Sequence, residues 1–461
     1  MTYFDAFDAR RALREYPIGA DFVARYSKIS RDELKSIQNV RFMTVVRRAW
    51  QIGFYRCHWG AAGIEEGDIR SLDDLAKLPT YSKSDLMRSV REHPPFGNYH
   101  GLDTWKVNGK RPPFVFQTTS GTTGTPQPLF YGPRSRELQN LMLARAFLLH
   151  GVTADDVVHS TYGFGTVNMG HYTREAVTHF IGALLISAGT GAETRSAMQV
   201  RLMSEFRATV ICGFADYIRK LAEVAHEEGL KPGRDIPLRL ISAPLGGNSR
   251  HALSQMWGSA EVLDLYGVGD TGIIAAEGPE KHGLHIWEDA HAIEIIDPET
   301  LAPLPEGTIG NICATVLFKD DLFPVIRFNT NDLSVVETAA SPIGWTLRRL
   351  RGFLGRSDNM VKLRGTNVYP IAIGEILKQD TDTNGEFLCQ VDCKGERDEM
   401  TVFIEAREQT DALAERFRRQ LRRQIGVELA IKLVAPGVLS PRTEIERRQK
   451  PIRLVDNRPK H

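Results

Sequence analysis

The sequence lacks an excess of charge and a long apolar run. Its 58 lysines and arginines nearly cancel its 57 aspartates and glutamates, so no overall field would draw the chain to nucleic acid or to an anionic membrane. No apolar stretch is long enough to span a bilayer, and the N-terminal MTYFDAFDARR lacks the order of a secretion signal. These absences predict a cytoplasmic protein with neither nucleic-acid nor membrane partners.

Cysteine is scarce, and its spacing excludes two further classes of protein. The chain has five cysteines and no CxxC pair, which is typical of reduced thiols and not of a disulfide framework or a zinc site. Cys389 and Cys393 would share one face of a strand. Because two thiols alone make a poor metal site, we expect both to serve packing.

Repeats and low-complexity segments are also missing, so the organisation has to be inferred from periodicity. Residues 31–90 have the pattern of helices with charged faces. From about 157 to 267, short β-branched or leucine-rich runs alternate with helical segments, which are expected near 172–182, 194–206, 214–228 and 249–257. Because parallel strands need crossover connections, this alternation predicts a mostly parallel sheet flanked by helices.

After residue 290 the pattern changes to short strands and turns, which predicts an antiparallel subdomain. The tail that follows GFLGRSDNM contains two strand-like runs, a charged helix near 411–425 and a further strand at 429–434. The sequence therefore predicts an α/β fold with a large N-terminal domain, residues 1–355, and a small α+β C-terminal domain, residues 356–461.

Residues 118–126, TTSGTTGTP, concentrate six hydroxyl residues and two glycines in their first eight positions. The segment lies between two strand-like runs, and no lysine stands where a Walker loop needs one. Its hydroxyl and backbone N–H groups could bind phosphate oxygens as neutral donors. An ordinary turn would contain the same residue types, so composition alone leaves both interpretations open.

The order of these residues resembles TSGTTGxP, the phosphate loop of the adenylate-forming superfamily of acyl-CoA ligases, adenylation domains and luciferases. Four further segments resemble superfamily motifs in the same order: YGVGD its YGxxE element, FNTND its YRTxD element, GRSD its GRxD hinge, and PRTEIERRQKPIR its closing P(R/K)TxxGKxxR. GLHIWED, FPVIRFNTNDL, GRSDNMVKLRGTNVYP and VDNR are similar to the phenylacetate–CoA ligase branch.

The resemblance implies a ligase that joins a carboxylate to ATP, releases pyrophosphate, and passes the acyl group to the thiol of coenzyme A. ATP, Mg²⁺, coenzyme A and an aromatic carboxylate are the implied partners. Cations and aligned donors must then offset the repulsion between two anions. The resemblance assigns the triphosphate to Thr118, Thr119, Ser120, Gly121, Thr122, Thr123 and Gly124. It assigns the rest of the nucleotide to Ser242, Ala243, Pro244, Asp264, Leu265, Tyr266, Gly267, Asp332 and Arg356.

Three of these assignments have plain structural alternatives. Asp270 stands where the superfamily has a glutamate that reaches magnesium. Aspartate offers magnesium the same carboxylate oxygens on a side chain that is one methylene shorter. Alternatively, Asp270 is the N-cap of a helix that begins with TGIIAAEG. Asp332 would accept both ribose hydroxyls, or it is a turn aspartate. Tyr266 would stack on adenine, or it is a core aromatic.

The tail carries the implied catalytic lysine. Lys450 matches the residue that bridges the attacking carboxylate and the α-phosphate, with a solvated lysine as the alternative. Asp358 matches the hinge about which a mobile tail carries Lys450 away and brings in the thiol-transfer loop, which is Arg364, Gly365, Thr366 and Asn367. Asp270, Gln127 in place of a lysine, and Gln449 in place of a glycine depart from the superfamily pattern.

The acid pocket is expected at the strand ends, where a flat or medium apolar acid would fit. Its expected residues are Tyr162, Phe164, Met169, Phe214 and Gly246. Phe164 could equally belong to the core, and His171 and Asn168 would either contact a substituent or cap the following helix.

Three functions fit these residues. The first is an aryl- or arylacetyl-CoA ligase. The second keeps the adenylate but delivers the acyl group to an amine or a carrier-protein thiol. The third is a non-catalytic nucleotide-binding protein, suggested by the three departures and opposed by the retention of Lys450 and Asp332. Self-association into a homodimer is left open.

Overall fold

The computed structural model describes residues 2–106, 109–119, 126–363, 366–394, 397–448 and 450–458, and of Asn367, Lys394 and Arg397 it describes the backbone. The chain divides by contacts into two compact units. Unit 1 consists of Met1–Asp156, Phe164–Leu185 and Leu263–Gly352, and unit 2 of Val157–Gly163, Ile186–Val262 and Phe353–His461. The division expected at residue 356, and the mobility of the tail, stay predictions.

The α-helices are, in chain order, α1 Ala9–Glu15, α2 Gly19–Tyr26, α3 Arg31–Trp50, α4 Gly53–Ala61, α5 Lys83–Glu92, α6 Pro133–Leu149, α7 Asn168–Ala176, α8 Ser196–Glu205, α9 Ala215–Glu227, α10 Arg250–Met256, α11 Pro370–Leu377, α12 Asp411–Ile425 and α13 Ser440–Thr443. Within the described residues, none is both long enough and apolar enough to cross a membrane.

The first strands are β1 Tyr81–Ser82, β2 Val115–Thr118, β3 Pro128–Tyr131, β4 Val157–Ser160, β5 Leu184–Ser187, β6 Val210–Cys212, β7 Leu240–Ser242, β8 Glu261–Leu263, β9 Leu265–Val268, β10 Gly272–Glu277 and β11 Leu284–Ile286. The later strands are β12 His291–Ile296, β13 Gly310–Val316, β14 Phe328–Ser334, β15 Arg349–Leu350, β16 Gly355–Arg356, β17 Val361–Leu363, β18 Thr366–Val368, β19 Thr383–Lys394, β20 Arg397–Ala406, β21 Ala430–Val434 and β22 Leu454–Asp456.

Unit 1 holds two antiparallel meanders. Strands β12, β13 and β14 form the meander that the sequence predicts after residue 290, and β9, β10 and β11 form a second one. The interpretation of Asp270 as the N-cap of a helix is therefore wrong, because the TGIIAAEG segment forms strand β10. Helix α6 is buried along most of its length, and its Arg145 makes a two-fold ion pair of 2.7 and 3.1 Å with Asp289. That pairing compensates both buried charges.

Unit 2 contains the parallel sheet, whose strand order is β5-β4-β6-β7-β8. Strands β4, β6 and β7 pair in parallel, which confirms the prediction from alternation, and their register aligns Ser160, Cys212 and Ser242. Because the carboxyl ends of parallel strands meet at one edge, the segments that begin at Thr161, Gly213 and Ala243 leave the sheet together.

The tail of unit 2 forms a second sheet, ordered β21-β20-β19-β22, with helices α11 and α12. Helix α12 has the bounds that the sequence predicts. Its N-cap Thr410 accepts a hydrogen bond from Leu413 N at 3.3 Å, and it ends before Gly426, which has a φ of 82°. Phe417 and Leu421 face the core of this sheet, together with Phe387 and Val402.

Candidate active site

The two strands around the predicted phosphate loop form an antiparallel pair, as the sequence indicates. Thr119 and Gln127 close the pair at the base of the loop. Thr119 N donates to Gln127 O, and Gln127 N donates to Thr119 Oγ1, both at 3.1 Å. Thr118 Oγ1 donates to Thr166 Oγ1 at 3.0 Å. The strands thus hold both ends of the loop in unit 1, although Ser120, Gly121, Thr122, Thr123 and Gly124 lie outside the described residues.

Asp270 is tied to the base of this loop. Gln127 Nε2 donates to Asp270 Oδ1 at 2.6 Å, and Lys319 Nζ donates to Asp270 O at 3.1 Å. Tyr131 OH donates to Gly269 O at 2.9 Å. Two of the departures from the superfamily pattern, Gln127 and Asp270, therefore contact each other.

The ionisation of this cluster is set by burial. Burial raises the pKa of Asp270, against the Gln127 hydrogen bond and the positive charge of Lys319. Burial also lowers the pKa of Lys319 to about 8, against the attraction of Asp270 and Asp321. Lys319 Nζ lies 4.3 Å from the ring centroid of Phe323 and 5.0 Å from that of Tyr131, so the aromatic faces further stabilise the ammonium.

A magnesium ion fits the chemistry of these residues. The carboxylate of Asp270 is a hard oxygen ligand, and the buried Gln127 Oε1 has no hydrogen-bond partner among the described residues. Magnesium prefers such oxygens and takes its other ligands from substrate phosphates and water. Asp270, with Gln127 beside it, would hold the ion.

Tyr266 and Asp332 lie together in unit 1. The tyrosine hydroxyl donates to Asp332 Oδ2 at 2.8 Å, and both residues are buried. Asp332 lies within strand β14, so the turn-aspartate alternative is wrong. Thr330 Oγ1 accepts from Asp332 N at 3.1 Å and donates to Ile312 O at 2.9 Å. These contacts fix a carboxylate beside an aromatic ring, and such groups can accept hydroxyls and flank a flat base.

The other predicted nucleotide residues are divided between the units. Asp264, Leu265 and Gly267 belong to unit 1, where Asp264 Oδ1 accepts from Leu265 N at 2.8 Å and Asp264 N donates to Glu277 Oε2 at 3.0 Å. Ser242 and Ala243 are buried at the end of strand β7 in unit 2, and Pro244 follows them.

The aligned ends of β4 and β6 carry two aromatic rings of the predicted acid pocket. The rings of Tyr162 and Phe214 meet edge to face, with their centroids 5.3 Å apart. Tyr162 OH donates to Gly213 O at 3.4 Å, which holds its ring in place. Gly246 follows the end of β7 with a φ of 54°, a value that favours glycine.

The remaining pocket residues belong to unit 1. Phe164 meets the ring of His171 at 5.4 Å, and Met169 lies in the first turn of α7. His171 Nε2 shares a hydrogen bond with Gly165 O at 3.1 Å, and Asn168 Oδ1 accepts one from Arg136. The N-cap of α7 is Val167, so the capping interpretation of His171 and Asn168 is wrong.

Lys450 lies against the ring of Phe214 in unit 2. Its Nζ is 5.5 Å from the ring centroid of Phe214, and its side chain is exposed. A mobile ammonium in this position can meet a carboxylate bound against the ring. Gln449, which precedes it, lies outside the described residues.

The predicted hinge carries an ion pair between near neighbours. Arg356 Nε and Nη2 donate to the two oxygens of Asp358 at 2.7 and 2.6 Å. Thr366 and Asn367 begin strand β18, and Lys362 and Leu363 pair with them. Arg364 and Gly365 lie outside the described residues.

The sequence interpretation missed an ionic cluster in unit 2. Asp216 Oδ1 accepts from Lys378 Nζ at 2.6 Å, and Asp216 Oδ2 accepts from Arg453 Nη2 at 2.9 Å. Arg453 also pairs with Glu386 at 2.9 Å. Burial acts to raise the pKa of Asp216, but its attraction to Lys378, Arg453 and Arg219 outweighs burial and holds the pKa well below its ordinary value. The available signal was Arg453, which occupies the last position of the closing KxxR motif.

Two family models match this chain. The model of the AMP-binding enzyme covers residues 73–315, and that of the AMP-binding enzyme C-terminal domain covers residues 365–458. Because the first match alone spans more than half of the 461 residues, the chain belongs to the AMP-binding enzyme family. The α/β architecture and the resemblance to the adenylate-forming superfamily are thereby confirmed.

Individual relatives narrow the similarity. The chain is 29% identical to phenylacetate–coenzyme A ligase of Aromatoleum evansii over 94% of its own length and 96% of the relative's. It is also 29% identical to phenylacetate–coenzyme A ligase of Thermus thermophilus, over 90% of its own length and 95% of the relative's. A crystal structure of 2-hydroxyisobutyryl-CoA ligase in the postadenylation state, in complex with R3-HIB-AMP, matches with a TM-score of 0.80 and 26% identity, over 94% of this chain and 91% of that one.

Proposed function

We propose that this chain is an AMP-forming carboxylate–CoA ligase that acts on an aromatic or arylacetic acid. In the first half-reaction a carboxylate oxygen attacks the α-phosphorus of ATP, the bond to the β-phosphate oxygen breaks, and pyrophosphate leaves. In the second, the sulfur of coenzyme A attacks the acyl carbon, the bond to the AMP oxygen breaks, and the thiol proton passes to solvent. ATP, the carboxylate and coenzyme A are the small-molecule partners.

The position of Lys450 against Phe214 carries this proposal. An acid with an apolar body would lie on the edge-to-face pair of Phe214 and Tyr162, and its carboxylate would meet the ammonium. The ammonium would offset negative charge as the carboxylate approaches the α-phosphate, an effect present only in the first half-reaction. Bound magnesium would supply further positive charge to the triphosphate.

The nucleotide residues of unit 1 support the same reaction. Asp332 would accept the vicinal hydroxyls of the ribose, and Tyr266, which fixes that carboxylate, would flank the base. Asp270 and Gln127 would bring the ion to the base of the phosphate loop, and Thr118 and Thr119 would donate to phosphate oxygens.

The aromatic nature of the acid is supported by two rings and by the relatives. Phenylacetate is named for the relatives at 29% identity, whereas a branched hydroxy acid is named for the similar crystal structure. The ring pair of Tyr162 and Phe214 favours a flat acid, because edge and face contacts between aromatic rings are stabilising.

The test is a measurement of pyrophosphate release by the purified protein with ATP and Mg²⁺. Phenylacetate, benzoate and 2-hydroxyisobutyrate are supplied in turn, and each acid is also tested with coenzyme A and with a primary amine as acceptor. We expect acid-dependent pyrophosphate release, highest with an aromatic acid, and consumption of the coenzyme A thiol with AMP formed in equal amount.

Each other outcome identifies a different function. Release without thiol consumption, but with amine consumption, would identify an amide synthetase. Release with neither acceptor would favour a carrier-protein thiol. No acid-dependent release would leave a non-catalytic nucleotide-binding protein and would overturn the proposal. The balanced charge and the odd number of cysteines further support a cytoplasmic enzyme that acts on small molecules. A measurement of its mass in solution would decide whether it forms a homodimer.

A further inference from the structure

The segment that carries Lys450 contacts helix α8 before the lysine and the first turn of helix α9 after it. Before it, Glu446 bonds to Ser196, which in turn bonds to Tyr217. After it, Arg453 Nη2 donates to Asp216 at 2.9 Å. Lys450 itself lies over Phe214, the N-cap residue of the same helix. All of these residues belong to unit 2.

Glu446 is the end of a directed chain of hydrogen bonds. Ser196 Oγ donates to Glu446 Oε2 at 2.6 Å, because an ionised carboxylate can only accept. Ser196 Oγ then accepts from Tyr217 OH at 2.9 Å, and Tyr217 OH accepts from Gln199 Nε2 at 3.2 Å. Ser196, Gln199 and Tyr217 are buried. A charge-assisted bond at the end of such a chain is stronger than a bond between neutral groups.

Gly191 provides the space for this carboxylate. A Cβ at position 191 would lie 2.6 Å from Glu446 Oε2, 2.8 Å from Glu446 O and 3.0 Å from Tyr217 OH. The two distances to Glu446, one of them to its backbone oxygen, are shorter than real Cβ contacts, and the distance to Tyr217 is at the tight limit. The turn before α8 is thus shaped to admit Glu446, and its glycine is required by this approach.

The anchoring occurs where the sequence departs from its superfamily. The residues ERRQ stand before Lys450, where the superfamily has a shorter segment that ends in glycine. Of the two glutamates in the closing PRTEIERRQKPIR stretch, Glu446 is the one that reaches Ser196, whereas Glu444 pairs with Arg448 at 2.9 Å within the segment itself. A longer connection has more conformations to restrict, and a fixed point close to the lysine restricts them.

We propose that Glu446 is a positioning residue for adenylation, which anchors the lengthened segment in the Ser196–Tyr217 pocket so that Lys450 reaches the acid. The proposal rests on the proposed function, since it gives Lys450 its role there. Thioester transfer, in which Lys450 takes no part, does not need the anchor.

The test compares the two half-reactions in Glu446→Gln and Tyr217→Phe. The first change removes the charge and keeps the shape of the side chain, and the second removes the middle of the hydrogen-bond chain. We expect kcat for acid-dependent pyrophosphate release to fall about tenfold or more in Glu446→Gln and by a smaller factor in Tyr217→Phe. The KM for ATP should stay within about twofold, and so should thioester formation from a supplied acyl-adenylate.

Glu444→Gln is the matched control, because it makes the same chemical change two residues earlier, in an ion pair that is partly exposed. It should leave both half-reactions within about twofold of the original protein. Gly191→Ala should reproduce the adenylation loss of Glu446→Gln, whereas Gly60→Ala, where the added methyl group meets nothing within 4 Å, should not. Equal losses in both half-reactions, or none in either, would overturn the proposal.

Hydrogen exchange provides a measurement that does not depend on activity. Amides of residues 444–448, 450, 452 and 453 should exchange faster in Glu446→Gln than in Glu444→Gln. Equal exchange rates in the two variants would overturn the anchoring role of Glu446, even if the protein is an active ligase. If the unmodified protein shows no acid-dependent pyrophosphate release, the proposed function fails, but a difference in exchange would still identify Glu446 as the anchor of this segment.

Discussion

At the scale of single residues, Lys450 is the group whose removal should separate the two half-reactions. Lys450→Ala removes the ammonium that offsets charge at the α-phosphate, so adenylation should fall on the order of a hundredfold or more. Thioester formation from a supplied acyl-adenylate should be unaffected, because that step does not use the lysine. Pyrophosphate release and thioester formation, measured separately, check this expectation.

Lys432→Ala is a closely matched control. Lys432 is also exposed, also lies in the tail, and its Nζ is 5.5 Å from the ring centroid of Phe403, the same separation as between Lys450 and Phe214. Both half-reactions should keep their rates in this variant. A comparable loss of adenylation in both variants would mean that the lysine acts through the stability of the tail and not at the reacting atoms.

Tyr266 should affect ATP binding through two separable contacts. Tyr266→Phe keeps the ring but removes the hydroxyl that donates to Asp332 Oδ2 at 2.8 Å. Because a hydrogen bond to a charged group contributes about 1.5–3 kcal/mol, the KM for ATP should rise about tenfold with little change in kcat. Tyr266→Leu, which also removes the ring, should raise it further. If both variants match the original protein in steady-state kinetics, Tyr266 does not contact the nucleotide.

Sequence motifs could predict only those site residues that occur within a fixed local pattern of neighbouring residues. Asp332, Tyr266 and Lys450 were identified in that way, and their roles stay predictions that the geometry supports. Glu446 and Ser196 are 250 positions apart in the chain. No local pattern relates them, because only the packing of the tail on α8 and α9 brings a glutamate to that serine.

At the scale of elements, the contact of the tail with helix α9 depends on one carboxylate, Asp216, whose side chain is 15% exposed. Asp216→Asn leaves Lys378 and Arg453 without their full counter-charge, and removing one partner of a largely buried ion pair costs up to about 3–5 kcal/mol. We therefore expect a lower free energy of unfolding of unit 2 at neutral pH, measured by denaturant titration. Asp382→Asn, which alters an exposed ion pair with Arg416, should cost less than about 1 kcal/mol.

The pH dependence of this difference has a definite sign. The folded pKa of Asp216 lies below its ordinary value, so its contribution to stability is complete above the unfolded pKa of about 4. It is lost as the pH falls through the lower, folded value. The difference between Asp216→Asn and the original protein should thus be constant from about pH 8 to 5 and shrink below about pH 4. A difference that grew on acidification would contradict this assignment.

Elements were predictable where periodicity and capping agreed. Helix α12 combines Thr410 at its N-cap with Gly426 after its end, and its predicted bounds are confirmed. The segment TGIIAAEG was ambiguous, because a short apolar run fits a buried helix or a buried strand equally well. Pairing of Ala275 with Tyr266 and Ile286, which lie on the neighbouring strands, settles it as strand β10. Such long-range pairing has no local signature.

At the scale of the whole molecule, two half-reactions have to share one site, and Asp358 is the predicted hinge. Asp358→Pro fixes φ near −65° at this residue, so a rotation about it should be blocked. Asp358→Ala also removes the ion pair with Arg356 but keeps the torsional freedom. We expect the proline variant to adenylate and to lose about tenfold or more in thioester transfer, whereas the alanine variant should retain both steps.

The pair of half-reaction rates again decides the outcome. Equal losses of both steps in the proline variant would place its effect in folding. Unchanged thioester transfer would show that the tail turns about another residue, and the boundary expected at residue 356 would have to move with it.

The narrow approach of Glu446 to Gly191 has an evolutionary consequence. A methyl group on residue 191 would meet the carboxylate, and a closing segment without that carboxylate would have no use for the space. The two positions should therefore change together among descendants of this gene: lineages that keep the glutamate should keep the glycine, and loss of one should release selection on the other. In a family tree, the appearance of glycine at position 191, more than two hundred positions upstream, should then coincide with the lengthening of the segment before Lys450.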